Sequence, residues 1–133
     1  MHQLPIRLHP GVDLREFLEK IAKQQFPDGA FVVCGIGSLS NPRLRLAEQN
    51  AATVYSGPFE LLSLSGAICL AGTHLHAVIG SDSGQVFGGH VVRGNIVRTT
   101  AELLLIPLKE WKLTRTFDDQ TGFQELTPIQ QSQ

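Results

Sequence analysis

The spacing of apolar residues differs between two parts of this chain: one segment has the period of a helix, and the longer remainder has the pattern of β-strands. Between Asp13, a suitable N-cap, and the stop signal Pro27-Asp28-Gly29, apolar residues recur at the i, i+3, i+4, i+7 spacing of an amphipathic helix: Leu14, Phe17, Leu18 and Ile21. This pattern predicts a helix over residues 14–25. We expect its polar positions to form a solvated face: Arg15, Glu19, Lys20 and Lys23.

Elsewhere the chain alternates with period two or forms short apolar runs, both typical of strands. Candidate strands cover residues 3–9, 30–34, 43–46, 61–70, 75–79, 85–92 and 96–108. Thr99-Thr100-Ala101-Glu102 could instead open a helix, but a strand is favoured there. Gly35 to Pro42 is predicted as a glycine-rich turn, and residues 127–133 as a polar, frayed tail.

These elements predict an α/β fold of the α+β-like kind, with a largely antiparallel β-sheet and a few flanking helices. We find no internal repeat and no linker, so residues 1–133 are expected to form a single compact domain.

Composition agrees with one folded domain and limits the classes of partner. Of the 133 residues, 42% are hydrophobic and 17% charged, so long disordered tracts are not expected. Eleven Lys and Arg face twelve Asp and Glu, a net charge of -1 that argues against an overall basic nucleic-acid binder. A local basic patch stays compatible with this balance.

The start of the chain and the two cysteines indicate a cytoplasmic protein. The first residues lack the basic and apolar regions of a secretory signal, and the longest apolar runs fall far short of the roughly 20 residues that span a bilayer. Cys34 and Cys69 lie in apolar, strand-like stretches without a CxxC motif, so we expect two reduced, buried thiols.

The most informative segment is a predicted hairpin over residues 73–92. Asp82-Ser83-Gly84 is a three-residue loop with glycine at the left-handed position, which pairs Ser81 with Gln85. The odd-numbered residues then form one apolar face. On the other face His76 falls directly opposite His90, with His74 two residues along the strand.

Three convergent imidazoles are a sufficient protein ligand set for Zn²⁺ or a similar divalent ion, with the fourth position open for a ligand or for water activation. We therefore predict a divalent metal ion, preferably zinc, at about one per chain, held by His74, His76 and His90. The alternative is a set of polar residues on a solvated face or at a subunit interface. Gly88-Gly89 beside His90 predicts the close approach of another group.

Four other residues are candidates for supporting roles. Arg43 and Arg45 share one face of their strand and could contact phosphate, although a solvated sheet edge also explains them. Glu60 and Glu102 could orient a histidine, line a pocket or act as a general acid or base; the alternative is a partnered or surface carboxylate.

The spacing supports no Ser-His-Asp or Cys-His nucleophile, and the glycine-rich turn lacks the third glycine and the lysine of a phosphate loop. The sequence assigns no catalytic residue and favours a role other than catalysis.

Four segments together resemble the PPC (plants and prokaryotes conserved) domain: Gly57 to Gly66, His74-Leu75-His76, Gly84 to His90, and Thr99 to Glu102. Ser38-Leu39-Ser40-Asn41 is similar to that domain's turn. The resemblance covers nearly the whole chain and implies a homotrimer of the stand-alone prokaryotic type, whose members are described as DNA-binding. In some members the matching histidines are linked with a bound metal, which implies the same for His74, His76 and His90.

One departure from the plant members affects the DNA expectation. The plant proteins carry an AT-hook, whose Arg-Gly-Arg-Pro core enters the minor groove, and this chain has no such run. The expected function is therefore a DNA-binding or regulatory homotrimer. The alternatives are a trimeric metal-binding protein, with catalysis left open, and a purely structural association module.

Overall fold

This computed structural model describes residues 3–132. In chain order the elements are β1 (Leu4–Leu8), α1 (Leu14–Gln25), β2 (Ala30–Ser40), β3 (Arg43–Arg45), β4 (Ala52–Val54), β5 (Pro58–Cys69), β6 (Gly72–Gly80), β7 (Val86–Val91), β8 (Ile96–Pro107), β9 (Trp111–Asp118) and β10 (Phe123–Gln130). Within the described range, no helix has both the length and the apolar character required to cross a membrane.

Eight strands form one antiparallel sheet in the order β1-β8-β2-β5-β6-β7-β3-β4, so β1 and β4 are its edges. Helix α1 packs on one side of this sheet, chiefly against β5 and β6, and we call this side the inner face. Residues of the helix and the inner face form the main core, including Leu14, Leu18, Ile21, Leu64, Leu75 and Ile79. The opposite side is the outer face.

The β9–β10 hairpin forms a separate two-stranded sheet that packs on part of the outer face. Leu113 of β9 is buried against Ala67 and Cys69 of β5, and Leu126 of β10 packs against the same small cluster. The hairpin thereby covers the outer face at the end of β5 that is nearest the start of β6.

The structure confirms the α+β-like fold and several of the predicted elements. The helix has the predicted bounds, and the Asp13 side chain accepts hydrogen bonds from the backbone N–H groups of Arg15 and Glu16. Residues 96–107 form a strand and not a helix. Among residues 3–132, α1 is the only helix that flanks the sheet, where a few were expected.

The prediction of a turn from Gly35 onward is wrong, because β2 continues to Ser40. Its glycines permit close packing between strands. A Cβ on Gly37 would lie 2.2 Å from the Thr100 carbonyl oxygen, and one on Gly35 would lie 2.6 Å from a Leu103 methyl carbon. The chain turns later, at Asn41, whose φ is 47°.

Two further predictions are wrong. Residues 127–130 are not frayed but belong to β10, where Thr127 pairs with Thr114 and Pro128 with Leu113. Cys69 is buried as expected, but Cys34 is exposed, because it follows an irregularity in β2 and points to the outer face. Strands β4, β9 and β10 had no counterpart among the strands predicted from the sequence.

Candidate metal centre

The predicted register of the histidine hairpin is confirmed. His76 pairs with His90, Ala77 with Gly89 and Ile79 with Phe87. The Ser81 N–H donates to the Gln85 carbonyl oxygen at 2.9 Å, and the Gly84 N–H to that of Ser81 at 3.1 Å, which closes the three-residue loop. The turn chemistry and the apolar odd-numbered face specify the same pairing.

The close approach predicted at Gly89 is made by the chain itself. Strand β3 pairs with β7, and a Cβ on Gly89 would lie 2.8 Å from the Arg45 carbonyl oxygen. Glycine at this position therefore lets β3 lie close beside the histidine-bearing strand.

The three histidine side chains meet on the outer face with their ring nitrogens in a small triangle. His74 Nε2 lies 3.1 Å from His76 Nε2 and 3.3 Å from His90 Nδ1, and His76 Nε2 lies 3.1 Å from His90 Nδ1. Each nitrogen carries either one proton or one lone pair in its ring plane. If one nitrogen donates a hydrogen bond to a second, the third nitrogen still faces a group that it cannot fully satisfy. A cation bound by the lone pairs of all three nitrogens satisfies them together, so the triangle is suited to a shared cation.

The donor set and its spacing fit a tetrahedral metal ion. Zn–N bonds of about 2.0–2.1 Å place two ligand nitrogens of a tetrahedral site about 3.3–3.4 Å apart. The three observed separations lie close to this value. Among residues 3–132, these three histidines are the group of His, Cys, Asp or Glu side chains that could hold an ion, so the protein would leave a fourth position to solvent or a ligand.

Local electrostatics favour the neutral, metal-binding form of two of the rings. Burial lowers the pKa of His74 below its usual value, and the positive charges of His76 and Arg115 act in the same direction. Burial also lowers the pKa of His90, helped by the charge of Arg45. Metal ligation requires the deprotonated ring nitrogen, so both shifts reduce competition from protons.

Arg15 was predicted to lie on a solvated face, and that prediction is wrong. Its guanidinium reaches from α1 to the two histidine-bearing strands: Nη1 donates to the Val91 carbonyl oxygen at 2.6 Å and Nη2 to the Thr73 carbonyl oxygen at 3.0 Å. These carbonyl groups belong to the residues next to His90 and His74. Arg15 therefore holds the two strands together beside the ring triangle.

Glu19, also predicted to be solvated, holds Arg15 in place. One carboxylate oxygen accepts from Arg15 Nε at 2.8 Å, and the other accepts from Arg93. Burial acts to raise the pKa of Glu19, but the hydrogen bonds and charges of Arg15 and Arg93 prevail and lower it. Lys20 and Lys23 are exposed as predicted.

Asn95 is a further residue that the sequence analysis did not single out. It is fully buried, and its Nδ2 donates to the carbonyl oxygens of Arg43 and Val92, both at 2.8 Å. Its Oδ1 accepts from the Arg43 N–H at 2.9 Å. Asn95 thereby fixes β3 to the loop that follows β7, and no spacing pattern in the sequence signals this role.

The other predicted site residues lie at different distances from the histidines. Arg45 is directly opposite His90 in the β3–β7 register, whereas Arg43 is exposed two residues away.

Glu60 pairs with Gly80, four residues along β6 from His76. Glu102 lies on β8, three strands from β6 in the sheet order. His2, given no role, lies outside the described residues.

Glu102 lines an open groove of about 590 Å³ on the outer face. Neighbouring lining residues include Arg7 of β1 and the exposed Cys34 and Ile36 of β2. This groove is separated from the histidine triangle by β5, so the structure does not bring the two together.

The sequence of this chain is similar to part of a longer curated protein. Over 122 residues, or 92% of this chain, the sequence is 43% identical to the bifunctional protein GlmU of Synechococcus sp. (strain JA-2-3B'a(2-13)). The match includes 19% of that protein, so this chain spans about a fifth of the length of the curated relative.

Solved structures share the whole fold. A hypothetical protein from Salmonella enterica is 33% identical, with a TM-score of 0.94 over 98% of this chain and 95% of that one. The metal-containing protein AF0104 from Archaeoglobus fulgidus is 26% identical, with a TM-score of 0.79 over 96% and 94%. A protein from Bacteroides thetaiotaomicron described as a candidate for DNA binding is 18% identical over 94% and 91%, and its TM-score of 0.81 shows the fold alone.

A match to one sequence family covers most of the chain. Residues 1–109 match the Plants and Prokaryotes Conserved (PCC) domain, which is the PPC domain that the sequence motifs resemble. The histidine hairpin and all eight strands of the large sheet lie within this range. The chain therefore belongs to the Plants and Prokaryotes Conserved domain family.

Proposed function

We propose that this protein binds one divalent metal ion per chain, with zinc preferred, through His74, His76 and His90. The observation that carries the proposal is the triangle of ring nitrogens, whose sides measure 3.1, 3.1 and 3.3 Å. The similarity to a metal-containing protein from Archaeoglobus fulgidus supports it. Imidazole nitrogen is a common ligand for zinc and for other late first-row metals.

The residues have separable tasks in this proposal. The three imidazoles bind the ion, and Arg15 positions them by holding Thr73 and Val91. When bound, an ion with three protein ligands and one open position supplies Lewis acidity or a water of lowered pKa.

Metal analysis of the protein purified without an affinity tag tests the proposal. After incubation with zinc and removal of free metal, we expect about one ion per chain in the wild type and near-complete loss in His76→Ala. His9→Ala is the matched control, because His9 is exposed and remote in sequence from the hairpin. A wild type that retains no zinc, cobalt or nickel would overturn the proposal.

We also propose that the metal-binding chain acts as a homotrimer, as the family resemblance implies. The outer face supports this, because apolar side chains on it are left open to solvent by this chain alone. Ile36 is 56% exposed, Leu62 48% and Val78 36%. Apolar surface of this kind is usual at subunit interfaces.

Sedimentation velocity tests the trimer. We expect Ile36→Glu to shift the protein toward monomer, because it places a charge on the outer face. Val54→Glu is the control, since Val54 is similarly exposed, at 53%, but lies on edge strand β4. A monomeric wild type, or trimers in both variants, would contradict an interface at this position.

A DNA-binding or regulatory role is the second candidate function. Its specific support is the placement of Arg43 and Arg45 on β3, next to the edge strand, with Arg43 exposed. The net charge of -1 works against it, because affinity for DNA depends on neutralising phosphates. A mobility shift at low salt, lost in the double substitution Arg43→Gln and Arg45→Gln, would support it. No shift with any duplex would overturn it.

A further inference from the structure

Arg45 lies beside the histidine triangle on the outer face. In the β3–β7 ladder, Leu44 pairs with Val91 and Arg45 with His90. Leu44 and Val91 are both buried in the main core, so the next pair along the ladder lies on the opposite, outer side. Directly opposed residues have Cβ atoms about 4.5–5.5 Å apart, which places the Arg45 side chain next to the His90 ring.

Arg115 lies on the other side of the triangle. It is on the same side of β9 as Leu113, which packs against the outer face. Its Nε would be 3.4 Å from a Cβ at Gly72, and Gly72 precedes His74 by two residues on the same face of β6. The lack of a side chain at Gly72 therefore leaves room for the guanidinium beside His74.

Both arginines retain N–H groups for a ligand. Arg45 Nη1 donates to the Gln49 carbonyl oxygen at 3.3 Å, and Arg115 Nη1 to the Gln124 carbonyl oxygen at 3.2 Å. Among residues 3–132, their other guanidinium N–H groups make no side-chain hydrogen bond. By contrast, each of the three guanidinium nitrogens of Arg15 already has a partner, because Arg15 binds two carbonyl groups and Glu19.

With a divalent ion bound, the groups around the triangle would carry an excess of positive charge, which an anion would balance. Three neutral imidazoles leave the two positive charges of a divalent ion uncompensated, and no carboxylate belongs to the candidate ligand group in the described part of the chain. Arg45 and Arg115 add two more positive charges. Glu125 is the acidic group whose charge acts on His74, and it offsets only one of the four.

We propose that Arg45 and Arg115 form an anion subsite beside the three-histidine site and that it takes the phosphate group of a small molecule. A terminal phosphate carries close to two negative charges and has three free oxygens, so it can bind two guanidinium groups and an ion together. A carboxylate has two oxygens and one charge and matches this arrangement less well. The inference rests on the proposed metal site and identifies the class of ligand for its open position.

Calorimetric titration of inorganic phosphate into the zinc-loaded protein tests the subsite, with acetate as the comparison anion. We expect one phosphate per chain, bound more tightly than acetate, and a loss of about 10-fold or more in affinity in Arg45→Gln and in Arg115→Gln. Metal content should stay at the wild-type level in both variants. Arg98→Gln, on β8 and away from the histidines, is the control.

The results separate this inference from the metal proposal. Equal phosphate affinity in the wild type and both arginine variants at full metal content overturns the subsite alone, as does acetate binding as tightly as phosphate. If the wild type takes up no metal, the metal proposal fails. The phosphate titration of the metal-free wild type and of the two arginine variants then tests the subsite by itself. Arg45→Lys, which keeps the charge, should recover part of the affinity and so excludes misfolding as the cause.

Discussion

The two faces of strand β6 show how one strand serves two different purposes. Its inner-face residues Leu75, Ala77 and Ile79 are buried in the main core. Its outer-face residues His74 and His76 are exposed, and their ring nitrogens meet. Because neighbouring residues on a strand point to opposite sides, each histidine is next in sequence to a residue of the core.

Because of this difference, adjacent residues of β6 contribute to different properties: one to the stability of the fold, the next to the candidate metal site. The inner face holds the strand in register through buried apolar contacts, which contribute most of the free energy of folding. The outer face keeps ionisable side chains within reach of solvent and ligands. Substitutions on adjacent residues should therefore affect different measurements.

The largest effect on stability is expected from Leu75→Ala. Leu75 is 1% exposed, and removal of a buried leucine side chain typically costs about 2–5 kcal/mol in the free energy of unfolding. Urea denaturation of the metal-free protein at fixed protein concentration measures this loss. His76→Ala is the adjacent control and should cost less than about 0.5 kcal/mol. Equal losses would contradict the division between the two faces.

A smaller effect on both properties is expected from Arg15→Met, because Arg15 connects the inner helix to the outer site. The variant loses hydrogen bonds to the Val91 and Thr73 carbonyl groups, which should cost about 1–3 kcal/mol in the free energy of unfolding. We expect zinc affinity to fall by about 10-fold, as is typical when a group that orients metal ligands is lost.

Lys20→Met is the matched control for Arg15, since Lys20 is exposed on the same helix. It should change neither stability nor zinc affinity appreciably. Unchanged zinc affinity in Arg15→Met would show that the strands keep their separation without this contact.

The smallest effect is a dependence of stability on pH that is contributed by Glu19. Its pKa in the folded protein is lowered below the usual value near 4.5, so its contribution is present above pH 4.5 and is lost as the pH falls through the folded pKa. Glu19→Gln should make the decline in unfolding free energy below pH 4.5 shallower. Glu16→Gln, on the exposed side of α1, is the control. Equal declines in wild type and Glu19→Gln would contradict this contribution.

Local sequence signals were sufficient for the helix and for the histidine hairpin. Asp13 and the 3.6-residue period define α1, and the loop glycine with an apolar face defines the β6–β7 register. In both cases the turn or cap and the apolar pattern specify the same structure, so the placement of the three histidines could be predicted before the fold.

Contacts between distant segments could not be predicted in this way. The role of Arg15 depends on residues 58 and 76 positions away, and its charge in a helix is typical of a solvated face. The glycines of β2 resemble turn residues, but they serve close packing of strands. Strand β9 exposes Trp111 and Phe117, so it lacks the clean alternation that marks a half-buried strand.

The edges of the large sheet limit the ways in which copies of this chain can associate. An open sheet can recruit another strand through the unpaired N–H and C=O groups of its edges, which is also a route to aggregation. One edge, β1, has five residues and includes Pro5, which has no N–H to donate, and the other, β4, has three residues. Neither edge offers a long backbone template for a further strand. The edges of the large sheet therefore disfavour continuous ladders that extend this sheet from one copy to the next, and leave its faces as the surfaces on which copies could pack.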